Sequence, residues 1–162
     1  MRAFRSSCIA LLATVLAVPH AQAQHPADTS RYVMLFSGRP AGFYKEWWTR
    51  DELHSVFEYN DRGRGPHQEA VMRMGSDGVV TSLTVVGHGY LKDNVDERFT
   101  NASGTATWKN QTEHGTRANV GKARYVSASE SPVGTQLLVR AALANGGHIA
   151  LLPSGEAKVE KG

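Results

Sequence analysis

The chain has 162 residues, 18 basic and 15 acidic side chains, and one cysteine. Charges of both signs are interleaved along its whole length, so no concentrated basic surface exists and nucleic acid is excluded as an expected partner. A single cysteine cannot form an intramolecular disulfide, and its position at residue 8 removes thiolate metal ligation and cysteine nucleophiles from everything downstream.

Residues 1–23 read as a cleaved secretory signal. Arg2 and Arg5 form a basic start, residues 8–18 (CIALLATVLAV) are an apolar run too short to span a bilayer, and Ala21-Gln22-Ala23 is a small-x-small cleavage pattern. The expected product starts at Gln24, is periplasmic or secreted, and has no stable membrane insertion once the signal is gone. Its balance is 16 basic against 15 acidic residues, because the signal takes two arginines and no acid. Residues 24–31 suit a short flexible lead-in. Residues 32–162 are expected to form one β-rich domain, large enough to bury about two thirds of its unfolded surface.

Period two dominates from Tyr32 onward. Tyr32, Met34 and Phe36 alternate with Val33, Leu35 and Ser37. A turn over Gly38 to Gly42 then leads into a strand over residues 43–49. Residues 54–60 form a third strand and 68–74 a fourth, with Ala70, Met72 and Met74 on one face. After the turn Ser76-Asp77-Gly78, residues 79–86 are the most strand-like segment. Strict alternation there places Val79, Thr81, Leu83 and Val85 in one row and Val80, Thr84 and Val86 in the other. Residues 95–100 and 105–110 make a further hairpin around Asn101 to Gly104.

One helix is predicted over 131–145. Ser131 can cap it, Pro132 suits its first turn, and Gly146-Gly147 ends it. Val133, Leu137, Leu138 and Ala141 form its apolar side. The predicted fold is therefore mainly β: a curved antiparallel sheet of six to eight strands, or half-barrel, covered by one helix in the C-terminal half. Ala157 and Val159 begin another alternation that stops at Gly162, which reads as a domain cut short or as an exposed edge strand.

Candidate chemistry is sparse. His54, His67, His88, His114 and His148 lack the HxH or HxxxH spacing that sets two imidazoles on one face, so the sequence predicts no metal site and no cofactor within this chain. No GxSxG elbow, SxxK pair or nucleotide-binding glycine loop is present. Gly87-His88-Gly89 suggests a bulge at the end of a strand. Trp47 and Trp48 point to opposite faces of one strand and form a candidate ligand platform, with core packing as the alternative. Arg62 and Arg64, in the loop RGRGP, are a candidate docking or anion-binding pair. Their structural alternative is pairing with carboxylates such as Asp96 or Glu97 while Gly63, Gly65 and Pro66 shape the corner.

The stretches YNDRGRGP (residues 59–66) and YLKDNVDERF (90–99), with LFSGRPAG (35–42), ATWKN (106–110) and LLPSGEA (151–157), resemble the N-terminal, β-rich, non-catalytic region of exported bacterial amidohydrolase-family proteins. The resemblance implies a downstream (β/α)₈ barrel carrying the divalent metal, zinc being expected, and the hydrolytic chemistry. The leading reading is an accessory domain of such an enzyme, present as a fragment that lacks its barrel and is itself non-catalytic. The second is a free-standing periplasmic half-barrel that binds a lipid or other apolar ligand, and the third is a small hydrolase. An apolar cavity between sheet and helix is the feature that favours the second.

Overall fold

The computed structural model describes residues 29–129 and 132–160. The predicted signal segment, residues 24–28 of the lead-in and Ser131 lie outside the described residues. Eight strands follow in chain order: β1 (Thr29–Phe36), β2 (Arg39–Thr49), β3 (Glu52–Tyr59), β4 (His67–Met74), β5 (Val80–His88), β6 (Asn94–Ala102), β7 (Thr105–Lys109) and β8 (His114–Arg117). Each pairs antiparallel with the next, giving a curved eight-stranded meander that does not close into a barrel. Its first strand starts at Thr29, three residues before the expected boundary, and its first turn is shorter than predicted. Ser37 and Gly38 alone make that turn, both at positive φ (50° and 76°), as a two-residue hairpin turn matched to strand twist requires.

Register explains which face is covered. Trp48 opposes Leu53, and the row continues through Met72, Leu83, Phe99 and Trp108 to Gly115 across seven strands. A Cβ at Gly115 would collide with the Trp108 indole, so only glycine lets that ring lie flat on β8. The neighbouring row is Ser55, Ala70, Val85 and Glu97. Leu53, Leu83, Val85 and Phe99 are buried, each contributing about 1.5–3 kcal/mol of transfer free energy.

Strict alternation in β5 is corrected by the structure. Met74 pairs with Val80 and Arg73 with Ser82, so Thr81 is the extra residue of a bulge. That irregularity turns Val80 to the covered face with Leu83 and Val85, and all three are buried. The bulge expected at Gly87 is absent, because the register there runs unbroken. Gly87 instead sits at φ 139° with its α-carbon against the His67 carbonyl, leaving no room for a Cβ.

After β8 the chain crosses to the covered face. It forms β9 (Arg124–Tyr125), α1 (Pro132–Ala144), β10 (His148–Leu152) and β11 (Glu156–Lys158). β9 pairs parallel with β10 and β10 antiparallel with β11, making a second, three-stranded sheet. The alternation at Ala157 is thus the edge strand of this small sheet. Leu152 and Tyr125 drive it onto the core, and the Tyr125 ring stacks on Phe99 at 4.7 Å and 8°.

Helix α1 lies where the sequence places it, ended by Gly146 and Gly147 at positive φ. Its packing differs from expectation. Leu137, Leu138 and Ala141 are half-buried, and Ala142 is the one its described side chains bury fully. Leu138 borders one cavity and Leu137 and Ala141 another, so the helix acts as a roof held above the sheet.

Candidate ligand cavity

Between the covered sheet face and the segment from β9 into α1 lies a cavity of about 80 Å³, partly open to solvent. That is room for a few water-sized groups. The two sheet rows supply its floor through Leu53, Ser55, Ala70, Met72, Leu83 and Val85, while Gly134, Thr135 and Leu138 of α1 form the roof. The side wall is Arg124 to Ser127, together with Ser129.

Two buried charged residues, Arg124 in the cavity wall and Glu97 bonded to the wall residues Tyr125, Ser127 and Ser129, are treated differently by the fold. Glu97 is fully buried in β6, where alternation with Val95 and Phe99 turns it inward. One carboxylate oxygen accepts from the Tyr125 hydroxyl (2.8 Å) and the Ala128 amide (3.0 Å), the other from the Ser127 hydroxyl and the Ser129 amide (both 3.0 Å). Burial, then the bond to Glu97, pushes the Tyr125 hydroxyl well above its ordinary range, so it stays a donor. Asn110 Nδ2 reaches the same hydroxyl at 3.4 Å, tying in the β7–β8 turn.

Arg124 has no comparable set of partners. It is 6% exposed, and among the described residues its one side-chain contact of hydrogen-bonding type is from Nη2 to the Met72 sulfur at 3.8 Å. No ion pair is formed with it among the described residues. Burial lowers its pKa to about 10, which leaves it charged at neutral pH. Arg124 and Val80 also border a second cavity of about 280 Å³ under the C-terminal half of α1, whose lining includes Lys122, Arg140 and Asp77. One guanidinium therefore separates two spaces beneath the same helix.

The residues singled out by sequence lie elsewhere. Trp48 is on the covered face beside Leu53 but is 42% exposed, and Trp47 is on the opposite face, stacked on His54 at 5.4 Å with Lys45 over its ring. Neither borders the cavity. Arg62 bonds Asp61 through Nε at 3.0 Å, and Arg64 lies over the Tyr90 ring. The expected partners are corrected: Asp96 pairs with Arg98, and Glu97 is enclosed by residues 125–129. The two sequence stretches do meet, since Gly65 N donates to Tyr90 O, Lys92 Nζ to Gly65 O, and Tyr90 OH to Asp61.

His67 bonds Glu58 at 3.0 Å and lies 6.0 Å from His88, but among the described residues no group of three or more His, Cys, Asp or Glu side chains comes together to hold a metal ion. No described helix is long and apolar enough to cross a membrane. Arg124 gave no sequence signal because β9 has only two residues; Glu97 entered only as a possible partner of Arg62 or Arg64, although its place between Val95 and Phe99 could have marked it as inward-facing. No protein-family model, curated protein or solved structure matches this chain.

Proposed function

We propose that this chain is an exported, non-catalytic binding domain whose sheet–helix cavity takes a small, largely apolar ligand. The cavity itself carries the reading. Buried apolar side chains from three strands form its floor, and a half-buried helix forms a roof that can adjust without opening the core. Concave, mostly apolar space with a few polar groups at one wall suits binding, while a catalytic function would need a nucleophile and base in mutual reach.

Titration with 1-octanol, followed by amide shifts of residues around Ala70, Leu83 and Leu138, tests the reading. Saturable binding that is lost in Ala70→Phe, which fills the floor, is the expected result. Absence of shifts up to the solubility limit of the alcohol overturns it.

The accessory-domain reading, with an amidohydrolase barrel and its zinc downstream, is kept as a second proposal. It is favoured by the contact between residues 59–66 and 90–93, which presents the exposed Arg62 from a rigid corner. An open frame continuing past Gly162 to an HxH motif supports it, and a stop codon there removes it. With such a barrel supplied, Arg62→Ala with Arg64→Ala should weaken docking and leave the domain folded.

A further inference from the structure

A buried guanidinium at the wall of an apolar cavity has a definite chemical consequence. Taking a cation out of water costs several kcal/mol unless a counter-charge or a full set of acceptors replaces the hydration. Here a thioether, a weak acceptor, is the one protein group offered to the Arg124 guanidinium among the described residues. Glu97, the nearby buried carboxylate, is already saturated by four donors.

The fold therefore turns a planar, multi-donor cation towards an accessible cavity and, among the described residues, withholds an anion from it. Field from the surrounding cations acts in the same direction. Lys122 and Arg140 border the second cavity alongside Arg124, with Asp77 as the single acid there, and neither basic residue is ion-paired among the described residues.

From this juxtaposition we propose that the ligand is a small anionic amphiphile: its carboxylate pairs with Arg124, and its short apolar tail lies on the floor formed by Leu53, Ala70, Leu83 and Val85. The proposal rests on the binding reading above and adds the charge and orientation of the ligand. Guanidinium and carboxylate geometry match in a two-point pair, which a lysine could not reproduce. The volume beside Arg124 holds the first few carbons of the tail, and the rest of an eight-carbon chain runs past the roof or into the second cavity, which Arg124 also borders.

Isothermal titration of the whole chain with octanoate, 1-octanol and octylphosphate separates the claims. Octanoate is expected to bind about tenfold or more tightly than octanol. In Arg124→Met, whose side chain keeps much of the bulk, that preference should vanish while octanol binding persists. Equal affinity of octanoate and octanol for the parent overturns the anionic assignment and leaves the cavity reading standing. No binding of any of the three overturns both. Octylphosphate binding more tightly than octanoate moves the headgroup from carboxylate to phosphate and overturns the carboxylate assignment.

The parent alone decides the point if the variant does not fold. Octanoate labelled with carbon-13 at its carboxyl should titrate below its free pKa when bound. An unchanged pKa would place the carboxylate in solvent, away from Arg124, and sink the proposal.

Discussion

Glu97 and Arg124 are buried to similar degrees on the same side of one sheet, yet the fold provides one with four donors and the other with a sulfur atom. The difference lies in the backbone around them. Residues 127–129 wrap the Glu97 carboxylate with two amides and a hydroxyl, so its negative charge is part of what fixes the loop above β6. Arg124 belongs to a two-residue strand whose backbone is used up in pairing with Leu151 and Leu152. Its side chain is left to the cavity. A saturated buried charge holds structure, whereas an unsaturated one is a cost that stability alone does not explain.

The largest expected effect tests the saturated side. Glu97→Gln replaces one acceptor oxygen by an NH₂ group facing a hydroxyl and an amide donor, and it removes the charge that strengthens all four bonds. Loss of about 3–5 kcal/mol is expected, the range for breaking a buried charged network. Urea unfolding followed through tryptophan fluorescence gives the number. Near-ultraviolet dichroism should also weaken as Tyr125 loses its place on Phe99. A loss below about 1 kcal/mol would mean that residues 127–129 are held by packing alone, and the contrast with Arg124 would collapse.

Arg124→Met should act in the opposite direction. The ligand-free variant is expected to gain roughly 1–3 kcal/mol, because an uncompensated buried cation is replaced by a side chain suited to the Met72 environment. The pH dependence follows from the sign of the shift. With the folded pKa lowered to about 10, the unfolded chain binds more protons only from there up to its own higher pKa, so this group makes stability rise with pH in that window alone. Below pH 10 it is charged in both states and the penalty is constant, with a ceiling of about 3 kcal/mol. The gain should therefore be the same at pH 6 and pH 8. A destabilised variant would show that the guanidinium is already compensated in the free protein.

Much of this architecture was legible because the meander repeats one pattern. Alternation at Ala70-Met72-Met74 and the hairpin of residues 95–100 with 105–110 report an antiparallel sheet, and Pro132 with Gly146-Gly147 brackets the helix. The bulge at Thr81 was not legible, since apart from Ser82 every residue from Val79 to Val86 is apolar or β-branched and either parity fits. Arg62 and Arg64 drew notice through their glycine-rich setting, and that setting turned out to shape a corner: a Cβ at Gly65 would meet the Tyr59 carbonyl. Arg124 was invisible for a physical reason. Its importance arises from what it fails to contact across the fold, and no local spacing encodes a missing partner.

The smallest effect expected concerns that corner, where charge is exposed and geometry is carried by the backbone. Asp61 and Arg64 exchange amide–carbonyl bonds at 2.7 and 3.1 Å, and Gly65 N donates to Tyr90 O at 2.9 Å. None of these needs the Asp61 carboxylate. The bond from Arg62, then that from Tyr90, holds this carboxyl below the usual range, so its contribution is present above its unfolded pKa near 3.8 and is lost as pH falls through the lower folded value. The Tyr90 hydroxyl is raised by donating to Asp61, so its part is intact below pH 10 and lost as pH rises through the folded value. Between about pH 4 and pH 10 the side-chain contact is complete, yet its partners Arg62 and Tyr90 are exposed at the surface and screening keeps it weak. Asp61→Asn should shift the melting temperature by no more than about two degrees at pH 7. The Tyr90 ring resonances should move while the amides of Arg64 and Gly65 stay in place. A fall as large as that of Glu97→Gln would show that the corner depends on its exposed charge, and burial would no longer separate the charges that hold this fold from those that decorate it.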